Sequence, residues 1–600
     1  MVASQGSLRV AIRWVAALAM LVILANPALA YGAESIAYRV KIVVPGDPTL
    51  AAQMEQISQL VAREGDVDSE FQLQRRVAAD IGRFEAAARA AGYYEAKLSY
   101  DIDKRSKPWR VTVNVALGPP YRLREVKVIT PGGGVPPGAE RFNPGDIGLE
   151  LGMRAQSAPI LAAEDKLRRF YTTRGWPLAQ VTAHQAVIDR ADQSMHVTYT
   201  VVPGPTANFG NTEISGLTSV NRDFITKRLA WQEGERYDSR KVDSTQQTLI
   251  GSNLFATVRI TPADQVSPDG RIAMRIVVTE RRARSIGGGA YYDSSLGFGG
   301  KAFWEHRNLF GNGELLHIEG TAGQSDYGLL AQFKRPAFLV MGLDLRSEAS
   351  IGRLMTDAYN TRQAKFFTGL DYRLDSQITT GIGGEVINGR VDDDTGTQNY
   401  TLAGLPAYIR RDDTDDPLNP TRGTRLGFTA TPFFGLDGNS PDFFQAKLSA
   451  SAYQSIGSGN RFILAGFTNV GSITGTSRDS LPRDLRLYEG GGGSVRGYGF
   501  QRAGPLDLFG NPVGGISSLD LGVELRTRIN DTFGFVAFFE GGTVYGSTLP
   551  DLNQKLLWGT GVGLRYFSPI GPLRFDIATP LDRRPSDSVI QIYISLGQAF

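Results

Sequence analysis

The chain has 600 residues with 64 basic and 61 acidic side chains, a near-balance that gives no reason to expect a polyanionic partner such as nucleic acid. It contains no cysteine, which excludes disulfide staples and thiolate metal sites, and 600 residues are too many for one ordinary core. Its 70 glycines are nearly twice the usual share, a composition that β-barrels tolerate.

At the start, Arg9 and Arg13 precede an apolar run from Trp14 to Ala25 and then Ala28-Leu29-Ala30, the three-part pattern of a secretory signal over residues 1–30. The mature chain is expected to begin near Tyr31. No later stretch reaches the roughly 18 uninterrupted apolar residues of a membrane helix, so a membrane span would have to be made of strands.

Between Ala37 and Glu280 one order of elements recurs with a period of about 80 residues. In the first copy a strand from Tyr38 to Val44 precedes two helical stretches, the second carrying Leu73, Val77, Ile81, Phe84, Ala88 and Ala91 on one face. Gly92 ends that helix at a position that favours a left-handed cap. Ala96, Leu98, Tyr100 and Ile102 then alternate, and after a turn so do Trp109, Val111, Val113, Val115 and Leu117. The second copy breaks at Gly175-Trp176 after Ile160, Leu167 and Phe170 or Tyr171 on a helix. The third breaks at Asn253-Leu254-Phe255 after Val242 and Leu249, and each break is followed by two alternating strands. The helix-ending residues Gly92, Gly175 and Asn253 lie 83 and 78 positions apart, which predicts three tandem β-α-α-β-β domains over 37–118, 119–205 and 206–281.

From Ala283 the pattern becomes short alternating segments separated by Gly, Asn, Asp and Pro. With 9 to 11 residues per membrane strand plus a connection, about 20 per strand, residues 283–600 predict an antiparallel barrel of about 16 strands. In the last segment Ile590, Ile592, Ile594, Leu596 and Phe600 share one face, suited to lipid; Gln591, Tyr593, Ser595 and Gly597 share the other. Likewise Val562, Leu564 and Tyr566 alternate with Gly561, Gly563 and Arg565, and an arginine there requires a wet lumen.

The repeats, the segment Gly490-Gly491-Gly492-Gly493-Ser494-Val495-Arg496-Gly497-Tyr498 and the final phenylalanine together resemble the outer membrane protein 85 superfamily, whose repeats are called POTRA domains. Trp304 to Gly311 and Asp412 to Gly423 also look like its signatures. Within it, three repeats are most similar to the TamA branch, the translocation and assembly module. BamA insertases usually have five, and two-partner secretion transporters two. The resemblance implies a cell outer-membrane location with periplasmic repeats. It also implies a TamB-like inner-membrane-anchored partner, and unfolded outer-membrane clients such as autotransporters that enter beside lipid through a seam between the first and last strands.

The resemblance further places Val495, Arg496, Gly497 and Tyr498 on a loop folded into the lumen, with Arg496 paired to an acid on the wall. Two acids fit. Glu540 stands in Phe538-Phe539-Glu540, where the family has Phe-x-Asp, and Asp576 stands in Gly571-Pro572-Leu573-Arg574-Phe575-Asp576. Gly287, Gly288 and Gly289 on the first strand, with Gly597 and Phe600 on the last, are the expected seam, weakened because glycine adds no cross-strand side-chain contact. The carboxylates of Asp412 to Asp416 lack the spacing of a calcium loop. No nucleophile elbow, phosphate loop or His-Glu-x-x-His pattern is present among His184, His196, His306 and His317, so neither catalysis nor a cofactor is expected. A general insertase, an exporter of one secreted partner and a passive porin are the competing readings.

Overall fold

The structure is a computed structural model that describes residues 35–457, 459–568 and 571–596. The expected signal segment, Gly597 and Phe600 lie outside the described residues. By Cα proximity the chain divides into two compact units, whose boundary runs through the third repeat.

In the first unit, the first repeat forms a four-stranded sheet ordered Gly65–Val67, Ile36–Val43, Trp109–Ala116, Lys97–Asp103, with the last two antiparallel and the middle two parallel. The helix Glu70–Ala90 covers it, and Leu73, Val77, Phe84 and Ala88 meet Val111, Val113 and Val115 in a closed core. The buried Asp80 on this helix caps another: its carboxylate accepts from Ser58 Oγ at 2.6 Å and from the backbone N–H groups of Gln59 and Leu60. The second repeat sets Arg122–Ile129 parallel to Ser194–Val202, which pairs antiparallel with Gln180–Asp189. Its expected first helix is replaced by two short 3-10 turns, Ala139–Arg141 and Pro144–Ile147. Pro136-Pro137-Gly138 and Pro144-Gly145 account for this, since proline removes the helical donor and glycine costs helix entropy. In the third repeat the first helix shrinks to Arg222–Thr226.

Each helix-ending residue also makes the joint to the next domain. Gly92 (φ +92°) accepts from Tyr121 N–H, Gly175 (φ +101°) from Ala207 N–H, and Leu254, beside the left-handed Asn253 (φ +60°), from Arg281 N–H, at 2.7–2.9 Å. A Cβ on Gly92 would lie 3.0 Å from Arg154 Cγ, and one on Gly175 2.4 Å from Arg236 Nε. The following repeat's arginine thus seats itself on the bare backbone. Arg154 binds Asp47 Oδ2 at 2.6 Å, and Arg236 donates to the carbonyl of Arg174.

The second unit is dominated by a closed antiparallel barrel from Arg284–Asp293 to Gln591–Leu596. Seventeen strand segments make sixteen staves. Gly396–Gly404 and Ala407–Asp412 pair in one register with the same two neighbours, Ile378–Asp393 and Gly423–Gly435, and are interrupted only at Leu405-Pro406. Apolar side chains such as Val523, Leu525, Phe539, Val562, Leu564 and Ile594 point outward, while Asp520, Glu524, Arg526 and Arg565 are buried inside, as a lipid-facing exterior and polar lumen require. No described helix is long and apolar enough to cross a membrane. Much of the glycine is explained by cross-strand pairing with aromatics. Gly287 pairs with Phe303, Gly299 with Tyr291, Gly389 with Tyr400, Gly522 with Phe467 and Gly541 with Trp558, and in each case the ring occupies the space a Cβ would need.

At one rim of the barrel, the turn after the second stave meets the part of the third repeat in this unit. Asn308 Nδ2 donates to Ser219 O at 3.0 Å, Asn221 N–H donates to Gly311 O at 2.8 Å, and Asn308 Oδ1 accepts from Gly313 N–H. Glu280 organises the repeat side of this junction, accepting from the backbone N–H groups of Thr218, Ser219 and Val220 and from the hydroxyls of Thr218 and Ser219. Burial raises its pKa, but the hydrogen bonds from Ser219, Thr218 and Val220 outweigh it and hold the carboxyl at about 2, against an ordinary 4.5.

Because the folded-state pKa is depressed, the contribution of Glu280 to stability is complete above pH 4.5 and lost as pH falls from there through about 2. Calorimetry of the detergent-solubilised chain should therefore show Glu280→Gln less stable than wild type at pH 7, with the two curves converging between pH 4.5 and 2. A difference independent of pH would contradict this account.

Candidate functional site: a lumenal loop and the barrel seam

The connection between Phe462–Thr474 and Ser517–Arg528 turns back into the barrel. Val495, Tyr498 and Ala503 are fully buried in it, packed against the partly buried Leu557 of the wall. Gly497 has φ +145°, and a Cβ there would lie 2.7 Å from Thr579 O and 3.2 Å from Gly559 Cα, so loop and wall backbones touch. Only glycine meets both the dihedral and the approach.

This approach sets Arg496, 1% exposed, among three carboxylates on three staves. Glu540 Oε2 accepts from its backbone N–H at 2.8 Å and Glu540 Oε1 from Nε at 2.9 Å, while Nη2 donates to Glu540 Oε1 as well. Asp576 Oδ2 accepts from Nη1 at 2.7 Å, and Glu524 Oε1 from Nη2 at 2.5 Å. The guanidinium also lies 3.5 Å from the centre of the Phe538 ring. The two acids proposed as alternatives thus act together. Glutamate in place of the family aspartate reaches both the backbone and the side chain of Arg496. Sequence reasoning missed Glu524, although it was signalled: Asp520, Glu524 and Arg526 alternate with Leu519, Leu521, Val523 and Leu525. The carboxylates are shared onward, Glu524 Oε2 with Arg526 Nε at 2.7 Å and Asp576 Oδ1 with Arg565 Nη1 at 2.5 Å.

A second anchor lies across the lumen. Asp484 Oδ2 accepts from Thr361 Oγ1 and Tyr400 Oη at 2.6 Å, on the sixth and eighth staves, whereas Glu524, Glu540 and Asp576 stand on the twelfth, thirteenth and fifteenth. The loop therefore spans the barrel interior. A polar cavity of about 660 Å³ remains beside it, lined by Arg410, Arg425, Lys447, Glu489 and Asp520.

The same loop reaches both sides of the closing seam. Tyr593 Oη, on the last stave, donates to Tyr498 O at 3.1 Å, and Arg574 Nη2 donates to Gly492 O at 3.1 Å. On the other side Phe500 N–H donates to Ser295 Oγ at 3.0 Å, in the first hairpin. Among the described residues the first and last staves pair only at Tyr292–Ile594 and Asp293–Tyr593, next to a hydrogen bond from Ser294 N–H to Ile592 O. The first stave pairs with the second along its whole length, Arg284 to Asp293. Gly287, Gly288 and Gly289 lie on it opposite Phe303, Ala302 and Lys301, and Gly287 is filled by the Phe303 ring. In the described residues the seam is thus short at one end, and the glycines serve the packing of the first hairpin.

Residues 308–600 match the Omp85 superfamily domain. BamA, the outer membrane protein assembly factor, from Nitratidesulfovibrio vulgaris strain Hildenborough is 24% identical over 465 residues, covering 74% of this chain and 57% of its own length. That of Neisseria meningitidis serogroup B is 21% identical over 464 residues, covering 67% and 57%. The chain therefore spans 57% of the length of each of these relatives. In fold, the chain resembles the crystal structure of BamA from Haemophilus ducreyi lacking POTRA domains 1–3, with TM-score 0.67 and 18% identity over 79% of this chain and 99% of that one. The chain is an outer-membrane protein with its N-terminal repeats on the periplasmic side, so the rim that meets the third repeat is the periplasmic one.

Removing Arg496 leaves three buried carboxylates without their shared cation, which costs about 3–5 kcal/mol where one partner of a buried pair is lost. Arg496→Ala should lower the temperature at which the barrel loses its folded gel mobility. Arg496→Lys should not restore it, because a point charge cannot reach acids on three staves as the guanidinium fork does.

Proposed function

We propose that this chain is an assembly factor of the TamA type, which inserts and translocates β-barrel clients such as autotransporters through the seam between its first and last staves. In this reading residues 37–118, 119–205 and 206–281 are three POTRA domains that receive clients and a TamB-like partner, and residues 283–600 are the insertion machine. The observation that carries it is the Arg496 loop, which bridges the first hairpin and the last stave from inside, beside their described pairing at Tyr292–Ile594 and Asp293–Tyr593. Parting the seam exposes the edge of Arg284–Asp293, whose free N–H and C=O groups template an incoming strand. The loop, held on the wall by Arg496, keeps the barrel registered while the edge is open. No catalytic group is required, since folding of the client supplies the free energy.

Because the natural chain lacks cysteine, Tyr292→Cys with Ile594→Cys gives one defined cross-link at the paired positions. Locked oxidised, the protein should lose client insertion and regain it on reduction; full activity while locked would remove the lateral route.

The BamA names of the matched relatives favour a second reading, a general insertase. Depletion separates the two. Viable cells that lack chiefly surface autotransporters are expected for the TamA type, and loss of barrels in general with cell death for a BamA-like insertase.

A further inference from the structure

Three periplasmic turns of the barrel are polar and capped by their own side chains. Asp375 Oδ1 accepts from the N–H groups of Gln377 and Ile378, Asp416 Oδ1 from Leu418 and Asn419, and Asn530 Oδ1 from Thr532 and Phe533. The turn between Asp326–Arg335 and Leu343–Met355 differs. Its sequence, Pro336-Ala337-Phe338-Leu339-Val340-Met341-Gly342, has no charged or hydroxyl side chain. Leu339, Val340 and Met341 are 73%, 57% and 50% exposed.

The turn is nevertheless ordered by its backbone. Ala337 N–H donates to Asp344 Oδ1 at 3.0 Å, Phe338 N–H to Leu343 O at 2.7 Å, and Leu343 N–H to Val340 O at 3.2 Å. Three consecutive large apolar side chains are thereby held outward, an arrangement that in water would forfeit their burial and mark an interaction surface. Two observations identify what covers them. The turn prolongs the lipid-facing surface of its own two strands, where Leu329 and Ile351 point outward, and Phe310 of the preceding periplasmic turn, also exposed, stands edge-on to Phe333 beside it. At its base stands Arg335, partly exposed, on the same outward face of its strand as Leu329, with its guanidinium over the Phe338 ring and 3.9 Å from the buried Glu314; Lys334 and Arg373 face the lumen instead, paired with the buried Asp344. A cation beside an apolar tip on the lipid-facing side matches the phosphate layer above an acyl interior.

We propose that Phe338 to Met341 form a wedge embedded in the periplasmic leaflet of the outer membrane, with Arg335 at the level of the lipid phosphates. It sits at the edge of the short side of the barrel: the first four staves have 9 or 10 residues, and the turn leads from the fourth into one of 13, Leu343–Met355, followed by 14 and 16 for Asn360–Arg373 and Ile378–Asp393. There the wedge fixes the height of the leaflet against a narrow apolar band.

The test uses the full chain reconstituted in phosphatidylglycerol–phosphatidylcholine vesicles, with a single environment-sensitive fluorophore on Leu339→Cys or Val340→Cys, and on Ser376→Cys in a polar periplasmic turn as reference. Folded gel mobility establishes that each variant carries an intact barrel. Blue-shifted emission and several-fold stronger quenching by shallow nitroxide lipids at 339 and 340 than at 376 is the expected result. Equal, water-like emission at all three sites would overturn the proposal, as would shielding of 339 and 340 that arises only when a periplasmic protein extract is added.

Discussion

The second unit depends on one buried cation. Arg496 is carried by a loop with no strand pairing of its own along most of its length, and it is surrounded by Glu524, Glu540 and Asp576 from three separate staves. Without it those acids would repel one another in a confined lumen. With it, Glu524 and Asp576 each also hold a second arginine, Arg526 and Arg565, so the wall itself is tied together through the loop. The charge is therefore both the fastener of the loop and part of the inner lining of the barrel.

From that fastener the geometry of the seam follows. Gly497 brings the loop backbone against Gly559 and Thr579, and the residues on either side then fall on the last stave and the first hairpin. The loop bridges a boundary at which the described residues of the first and last staves pair at Tyr292–Ile594 and Asp293–Tyr593.

Much of this was legible in the sequence because period-2 alternation and glycine punctuation are local signals. The stave count, the outward face of Val562, Leu564 and Ile594, and the helix ends at Gly92, Gly175 and Asn253 all follow from such patterns. Arg496 and two of its acids were reached through the resemblance of short motifs. What was not legible required three-dimensional convergence. The alternation around Glu524 puts it on the lumenal face but does not say that it meets Arg496, and the pairing of Gly287 with Phe303 depends on register, which single-sequence alternation leaves open. The second repeat lost its first helix for a local reason, the Pro and Gly of residues 136–145, that the repeat pattern had overridden.

The joints between repeats have a consequence for how such an arm changes length. Tyr121, Ala207 and Arg281 each donate the same backbone hydrogen bond to the end of the preceding helix, and at the first two joints a bare glycine receives an arginine from the next domain. Each joint is made by residues of the two domains that it joins. Duplication or deletion of one whole domain by recombination would therefore rebuild a working joint at once, making domain number the easiest feature of this architecture for evolution to alter.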